Sequence, residues 1–306
     1  MNQISILGIF VVDICFFSNS IPIRGQTILG TNHILGPGGK GSNQAIAAAR
    51  SGGKVNLITK IGKDTYGDMA LSLYKESGVS LESIIIDSNL STGVAGIFID
   101  QTTGDNAINV IPGAAGKLVP EDIDNQLENL KNSKIFLTQL ETPIETTLYC
   151  LKKAKELGCI TILNPAPATE LHEDVFKNID FFTPNEIEAG FYLDTTLESN
   201  SDIEAAGKEF LNKGVKNIII TLGSKGSYFA NKDESFFLEA LKLKSEVIDT
   251  TGAGDAFNGA LSVALANNLS YKNSILFATK VSGISTTKQG AANSIPTKKT
   301  PAEAGV

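Results

Sequence analysis

Through residues 121–222, short apolar runs alternate with longer amphipathic stretches. The runs at 135–140, 160–163, 181–183 and 217–222 predict buried strands, and 121–130, 144–157, 185–192 and 202–213 predict helices. Such alternation predicts a parallel sheet with helices on both faces. The flanks extend the pattern. A buried first strand is predicted over 4–10, a helix over 42–51 stopped by Gly52-Gly53, a strand over 55–61 and a helix over 64–77 ended by Gly78. Towards the other end come strands at 227–230 and 236–243, a strand-like approach at 245–248, and two helices at about 253–267 and 271–287.

Two stretches do not fit this rhythm. Residues 14–37 carry turns and short apolar pieces, and 94–99 and 107–111 read as a hairpin about the polar turn Thr102-Thr103-Gly104-Asp105. The expectation is one α/β domain over 1–306, with a small β lid formed by about 14–35 and 93–112. A lid there would cover the strand ends where α/β sheets bind ligands. The polar tail from Pro296 onward is expected to be loose.

Composition narrows the function. Of 306 residues 42% are apolar, and no apolar run reaches membrane-spanning length. Met1-Asn2-Gln3-Ile4 lacks a basic, then apolar, leader, so no secretory signal is expected. A net charge of −7 disfavours nucleic acid as a partner. Arg24 and Arg50 are the only arginines, so a nucleotide must be held by backbone N–H groups, lysines and a metal ion. Cys15, Cys150 and Cys159 lack metal-ligand spacing and fit a reducing cytoplasm. His33 and His172 flank no nucleophile and read as surface residues.

The chemistry concentrates in Asp249-Thr250-Thr251-Gly252-Ala253-Gly254-Asp255, just before an alanine-rich helix. Glycines allow the turn, and the helix start leaves unpaired N–H groups that seat an anion. A carboxylate beside such a hole points to a base that deprotonates a hydroxyl while the hole holds the phosphoryl group. The alternative is Asp255 as a simple N-cap.

Gly36-Pro37-Gly38-Gly39-Lys40-Gly41 matches a dinucleotide-binding spacing, but 56–63 lacks the acidic residue that a ribose contact needs. It reads instead as a bare loop admitting a polar ligand to Lys40 and Asn43, or as a glycine turn capped by Ser42. Asp13, ending the first strand, is placed to grip sugar hydroxyls or to form a turn. Asn185 and Glu188 share a helical face, either ordering water on Mg²⁺ or forming a capping box. Thr221-Leu222-Gly223-Ser224-Lys225-Gly226 is a glycine turn that either passes a nucleotide or is merely structural.

Taken together, from Ile4 to about Pro296, the chain resembles the ribokinase-like (phosphofructokinase B-type) carbohydrate kinases. Gly38-Gly39-Lys40-Gly41-Ser42-Asn43-Gln44-Ala45 and the Asp249–Asp255 segment carry the match. It is supported by Gln139-Leu140-Glu141, Asn164-Pro165-Ala166-Pro167-Ala168 and Thr183-Pro184-Asn185-Glu186. Within the family the pieces look most like ribokinase and deoxyribokinase. The resemblance implies a three-layer sandwich and ATP-dependent phosphorylation of a pentose at its 5-hydroxyl, with ribose placed ahead of 2-deoxyribose.

It also implies the site. Asp255 would be the base, with Gly252, Ala253 and Gly254 forming the anion hole. Asp13, Gly39, Lys40, Asn43 and Glu141 would hold the sugar. Asn185, Thr221, Gly223, Gly226, Gly254 and Thr279 would line the nucleotide site, and Glu188 would place Mg²⁺ through water. A monovalent cation, usually K⁺, would take Asp249, Thr251, Thr286, Gln289, Ala291 and Ser294. A homodimer through the lid is implied. Val11 departs from the pattern, standing where ribokinases commonly carry a sugar-binding Asn. The intact Asp255 segment argues against a catalytically dead sugar-binding regulator.

Overall fold

The computed structural model describes residues 3–297. In chain order the elements are β1 (Gln3–Leu7), β2 (Val11–Ser18), β3 (Asn32–Gly38), α1 (Lys40–Arg50), β4 (Lys54–Gly62), α2 (Thr65–Ser77), β5 (Val79–Ser80), β6 (Ile84–Asp87), β7 (Thr92–Asp100) and β8 (Asn106–Gly113). Then follow α3 (Pro120–Asp124), α4 (Leu127–Lys131), β9 (Ser133–Thr138), α5 (Ile144–Glu156), β10 (Ile160–Leu163), β11 (Phe181–Phe182), α6 (Glu186–Leu193) and α7 (Asn200–Asn212). The last are β12 (Asn217–Thr221), β13 (Ser227–Asn231), β14 (Ser235–Leu238), α8 (Ala253–Ala266) and α9 (Tyr271–Ser285).

The large sheet runs β14-β13-β12-β11-β10-β9-β1-β4-β5, with β6 also on β4. It is parallel except at β12-β13-β14. Side chains alternate across it as a pleat requires. Ile4, Ile6, Ile135, Leu137 and Ile219 face α1, α2, α8 and α9, whereas Leu7, Phe136, Ile218 and Ile220 face α3 to α7. These two apolar layers, one on each face, fix the three-layer sandwich. The lid is the separate sheet β3-β2-β7-β8.

Several expected boundaries move. The first strand ends at Leu7, not at residue 10, and Asp13 lies within β2 of the lid, opposite Gly36 and Ala95. The cause is Gly8, where a Cβ would fall 2.4 Å from the Gly41 Cα, so the chain crosses α1 there instead of extending the sheet. The helix expected over 121–130 is two short ones, because Gln126 leaves helical geometry and turns its amide oxygen to Ser83 and Asn129. The strand expected to reach 243 stops at Leu238, since its partner β13 begins opposite it at Ser227. Residues 245–248 form no strand; the Ile248 and Asp249 N–H groups donate to the Thr286 carbonyl instead. The short strands β5 and β6 were not anticipated. From residue 298 on, the tail expectation lies outside the described residues.

Candidate active site

Two helix starts meet at one end of the sheet. The α1 helix begins at Lys40, two residues earlier than expected, with Gly39 as its N-cap at φ 91°. A Cβ there would lie 2.5 Å from the Ile9 carbonyl oxygen, so only glycine fits. Ser42 is therefore not a cap; it lies buried inside the helix and accepts from the Tyr74 hydroxyl. The α8 helix has Gly252 as its N-cap at φ 74°, which places Asp255 in the first turn and removes the N-cap reading. The two helices run side by side, so tightly that a Cβ on Gly259 would be 2.5 Å from the Gln44 carbonyl oxygen.

This packing brings residues from opposite ends of the chain together. The buried Asp255 carboxylate accepts from Asn43 Nδ2 at 2.9 Å and Gln44 Nε2 at 3.1 Å. Glu141, just past β9, accepts from the Lys40 backbone N–H at 2.7 Å. Asp13 reaches over the bare Gly38, where a Cβ would meet both its carboxylate oxygens at 2.3 Å.

The electrostatics are strained in one direction. Burial, then repulsion from Asp255, pushes Asp13 up to about 6 against the pull of Lys40. Burial pushes Glu141 up to about 7, again opposed by Lys40. Asp255 is raised by burial, with Lys40, Asn43 and Gln44 opposing. Burial lowers Lys40, but Asp255, Glu141, Glu188 and Asp13 together outweigh it, so its ammonium is held above the usual range. One lysine thus faces four carboxylates in a cleft short of positive charge.

Beside Asp255 opens a cavity of about 500 Å³. Among the expected nucleotide residues, Thr221, Gly223, Gly226, Gly254 and Thr279 line it, with Leu241, Leu243, Val247 and Phe257 as apolar wall. Asn185 does not line it but bridges to Thr221 beside it. Among the described residues none accepts the N–H of Gly252, Gly254 or Asp255, whereas the Ala253 N–H donates to the Thr250 carbonyl. The helix start therefore offers unpaired donors, one of the three expected groups being engaged.

Asn185 and Glu188 form the capping box of α6, each side chain accepting from the other's backbone N–H. The expected cation residues gather where the Asp249 loop meets 286–294. Asp249 accepts from Thr251 and Gly290, and Ser294 donates to the Ala291 carbonyl. Burial raises Asp249, but these hydrogen bonds outweigh it and hold the carboxyl below its usual value. Gln289 and Thr251 are exposed there.

Three buried amides had no assigned role. Gln44, Gln139 and Asn164 form a network ending on Asp255. All three stand inside the quoted motifs, so the signal was present, but nothing local showed that they converge.

A buried carboxylate between two glycine-started helices, with an anion seat opening on a nucleotide-sized cavity, is an arrangement of the kind that phosphoryl transfer requires. The profile of the pfkB family carbohydrate kinases matches residues 1–298, and the chain belongs to that family of ATP-dependent carbohydrate kinases. A bifunctional ribokinase/ribose-5-phosphate isomerase A from Fructilactobacillus sanfranciscensis is 37% identical over 98% of this chain, which spans 55% of that longer protein. A deoxyribokinase from Salmonella typhi is 34% identical over 96% of this chain and 95% of its own. The structure of Arabidopsis thaliana ribokinase complexed with ribose and ATP superposes with a TM-score of 0.92 at 27% identity, covering 99% of this chain and 98% of that one.

Proposed function

We propose that the protein transfers the γ-phosphoryl group of ATP to the 5-hydroxyl of D-ribose. The observation that carries this reading is the buried Asp255 carboxylate beside unpaired N–H groups at the mouth of the cavity. Asp255 takes the hydroxyl proton as the sugar oxygen bonds to the γ-phosphorus and the bond to ADP breaks. The Gly252 and Gly254 N–H groups hold the transferring oxygens, with Ala253 joining if its bond to Thr250 opens. Asp13, Gly39, Lys40, Asn43 and Glu141 hold the sugar. The buried Asn43 Oδ1 has no partner among the described residues, which suits a ligand hydroxyl. Asn185, Thr221, Gly223, Gly226 and Thr279 belong to the nucleotide side.

Mg²⁺ travels with ATP, and Glu188 would meet it through water. Its carboxyl is raised by burial, with smaller influences from Lys40 and Asp255, which supports a role close to the transferring group. A monovalent cation such as K⁺ would be held by Asp249, Thr251, Thr286, Gln289, Ala291 and Ser294. The Asp249 carboxyl, held below its usual value, is the anionic oxygen ligand that suits a hard cation. When bound, it adds positive charge near the anion seat.

The exposed lid side chains Ile34, Leu35, Ile108, Val110 and Ile111 support a homodimer through that sheet. Three free cysteines, two of them buried, support a reducing, cytoplasmic setting. Among the described residues no helix is long and apolar enough to cross a membrane.

One observation favours a second reading, 2-deoxyribose. Val11 is buried with Ile9, Ala95 and Ala115 and cannot hydrogen-bond a hydroxyl. The test is ADP release with both sugars, by wild type and by Asp255→Asn. The expectation is higher kcat/KM for ribose, and a loss of about 10²–10⁴ in kcat for the variant, the range that a general base supplies. A strong 2-deoxyribose preference selects the second reading, and near-wild-type turnover of the variant removes Asp255 as base.

A further inference from the structure

The amide network behind Asp255 is more than packing. Gln44 Nε2 uses both its hydrogens, donating to Asp255 Oδ1 at 3.1 Å and to Asn164 Oδ1 at 3.0 Å. Its other end, Oε1, accepts from Gln139 Nε2 at 2.5 Å. Asn164 is tied in turn to the Thr183 carbonyl. An amide can present either end to a neighbour. With Gln139 donating to its oxygen, Gln44 has one orientation left, the one that turns its NH₂ towards the carboxylate.

The fold makes room for this contact. A Cβ on Gly8 would lie 2.6 Å from Gln139 Oε1, and one on Gly41 would lie 3.0 Å from it. A Cβ at either glycine would crowd the Gln139 amide where it meets Gln44. The same Oε1 is buried without a hydrogen-bond partner among the described residues. A buried, unpartnered carbonyl opposes folding, and its retention calls for a reason outside stability. Gln139 and Gln44 are 1% and 0% exposed, so both amides are shut off from bulk solvent.

We propose that Gln139 is a positioning residue that acts through Gln44 to hold the Asp255 carboxylate in its proton-accepting orientation. This rests on Asp255 being the base. The chain of contacts runs from Gln139, just past β9, to Gln44 in α1 and on to Asp255 in α8, so the carboxylate is held by side chains from outside its own helix. A base misaimed by a rotamer loses transition-state geometry without losing the sites that bind ATP and sugar.

The test uses the full chain with ATP and the pentose of higher kcat/KM. Gln139→Met, Gln44→Met and the double variant are compared, with ADP binding by calorimetry to confirm folding. Gln139→Asn is a second probe, polar but too short to reach Gln44. Gln139→Met or Gln139→Asn should lower kcat by about 10- to 10²-fold, part of what a general base supplies, with KM for both substrates within about twofold. Because Gln139 acts through Gln44, the double variant should be no slower than Gln44→Met alone. Gln139 variants with wild-type kcat, or losses that multiply in the double variant, overturn the proposal. A dead Asp255→Asn beside a fully active Gln139→Met removes only the positioning role, whereas an active Asp255→Asn removes the base assignment itself.

Discussion

Replacing Asp13 by Asn should make the protein more stable and a poorer kinase. None of the described residues donates a hydrogen bond to this carboxylate, and Asp255 stands nearby as a like charge. Its folded value of about 6 against an ordinary 3.8 means that the fold disfavours its ionised form. At about 1.4 kcal/mol per tenfold, that penalty is on the order of 3 kcal/mol. The sign follows from linkage. The penalty is absent below the unfolded value of 3.8, grows between 3.8 and about 6, and is complete above that.

Asn keeps the shape over Gly38 and carries no charge. Asp13→Asn should therefore raise Tm at pH 7.5 by about 6 °C, at roughly 2 °C per kcal/mol for a chain of this size. At pH 5 the gain should fall to about half, because the wild-type carboxylate is then largely protonated. The assay is a thermal melt of ligand-free protein at both pH values, paired with sugar saturation kinetics in which KM rises. A Tm gain that is absent at pH 7.5, or equal at the two pH values, would refute the charge-burial argument.

Gly252→Ala combines a positive φ of 74° with a Cβ 2.8 Å from the Ala291 Cβ, so it should lose about 1–3 kcal/mol in urea unfolding and most of its turnover. Wild-type stability in that variant would show that the turn relaxes freely. Val11→Asn, at a 3% exposed position, should shift the ribose to 2-deoxyribose ratio of kcat/KM towards ribose by about tenfold, the worth of one hydrogen bond to a buried hydroxyl. An unchanged ratio would mean that this position does not face the 2-carbon.

Periodicity and local sterics were legible in the chain. The alternating runs from β9 to β12, the hairpin β7-β8 and the glycine-started helix at 253 are written within a few residues each, because pleat, helical turn and glycine φ are local properties. Ends set by neighbours were not. Leu238 ends its strand because Ser227 begins the partner, and residues 245–248 turn aside to bond Thr286. Gly8 breaks the first strand because α1 presses on it.

The same division holds at the site. Asp255 with its glycines, and Lys40 with its own, could be recognised as chemistry from composition and order alone. That Asn43 and Gln44 would bond Asp255 across more than two hundred residues depends on how β1, β4 and β9 order themselves and how α1 packs on α8. So does the meeting of Gln139 with Gln44. Short-range sterics choose each turn and helix start. Only the packed topology chooses which buried polar groups face one another, and their shared environment then shifts the carboxyls at 13, 141 and 255 together.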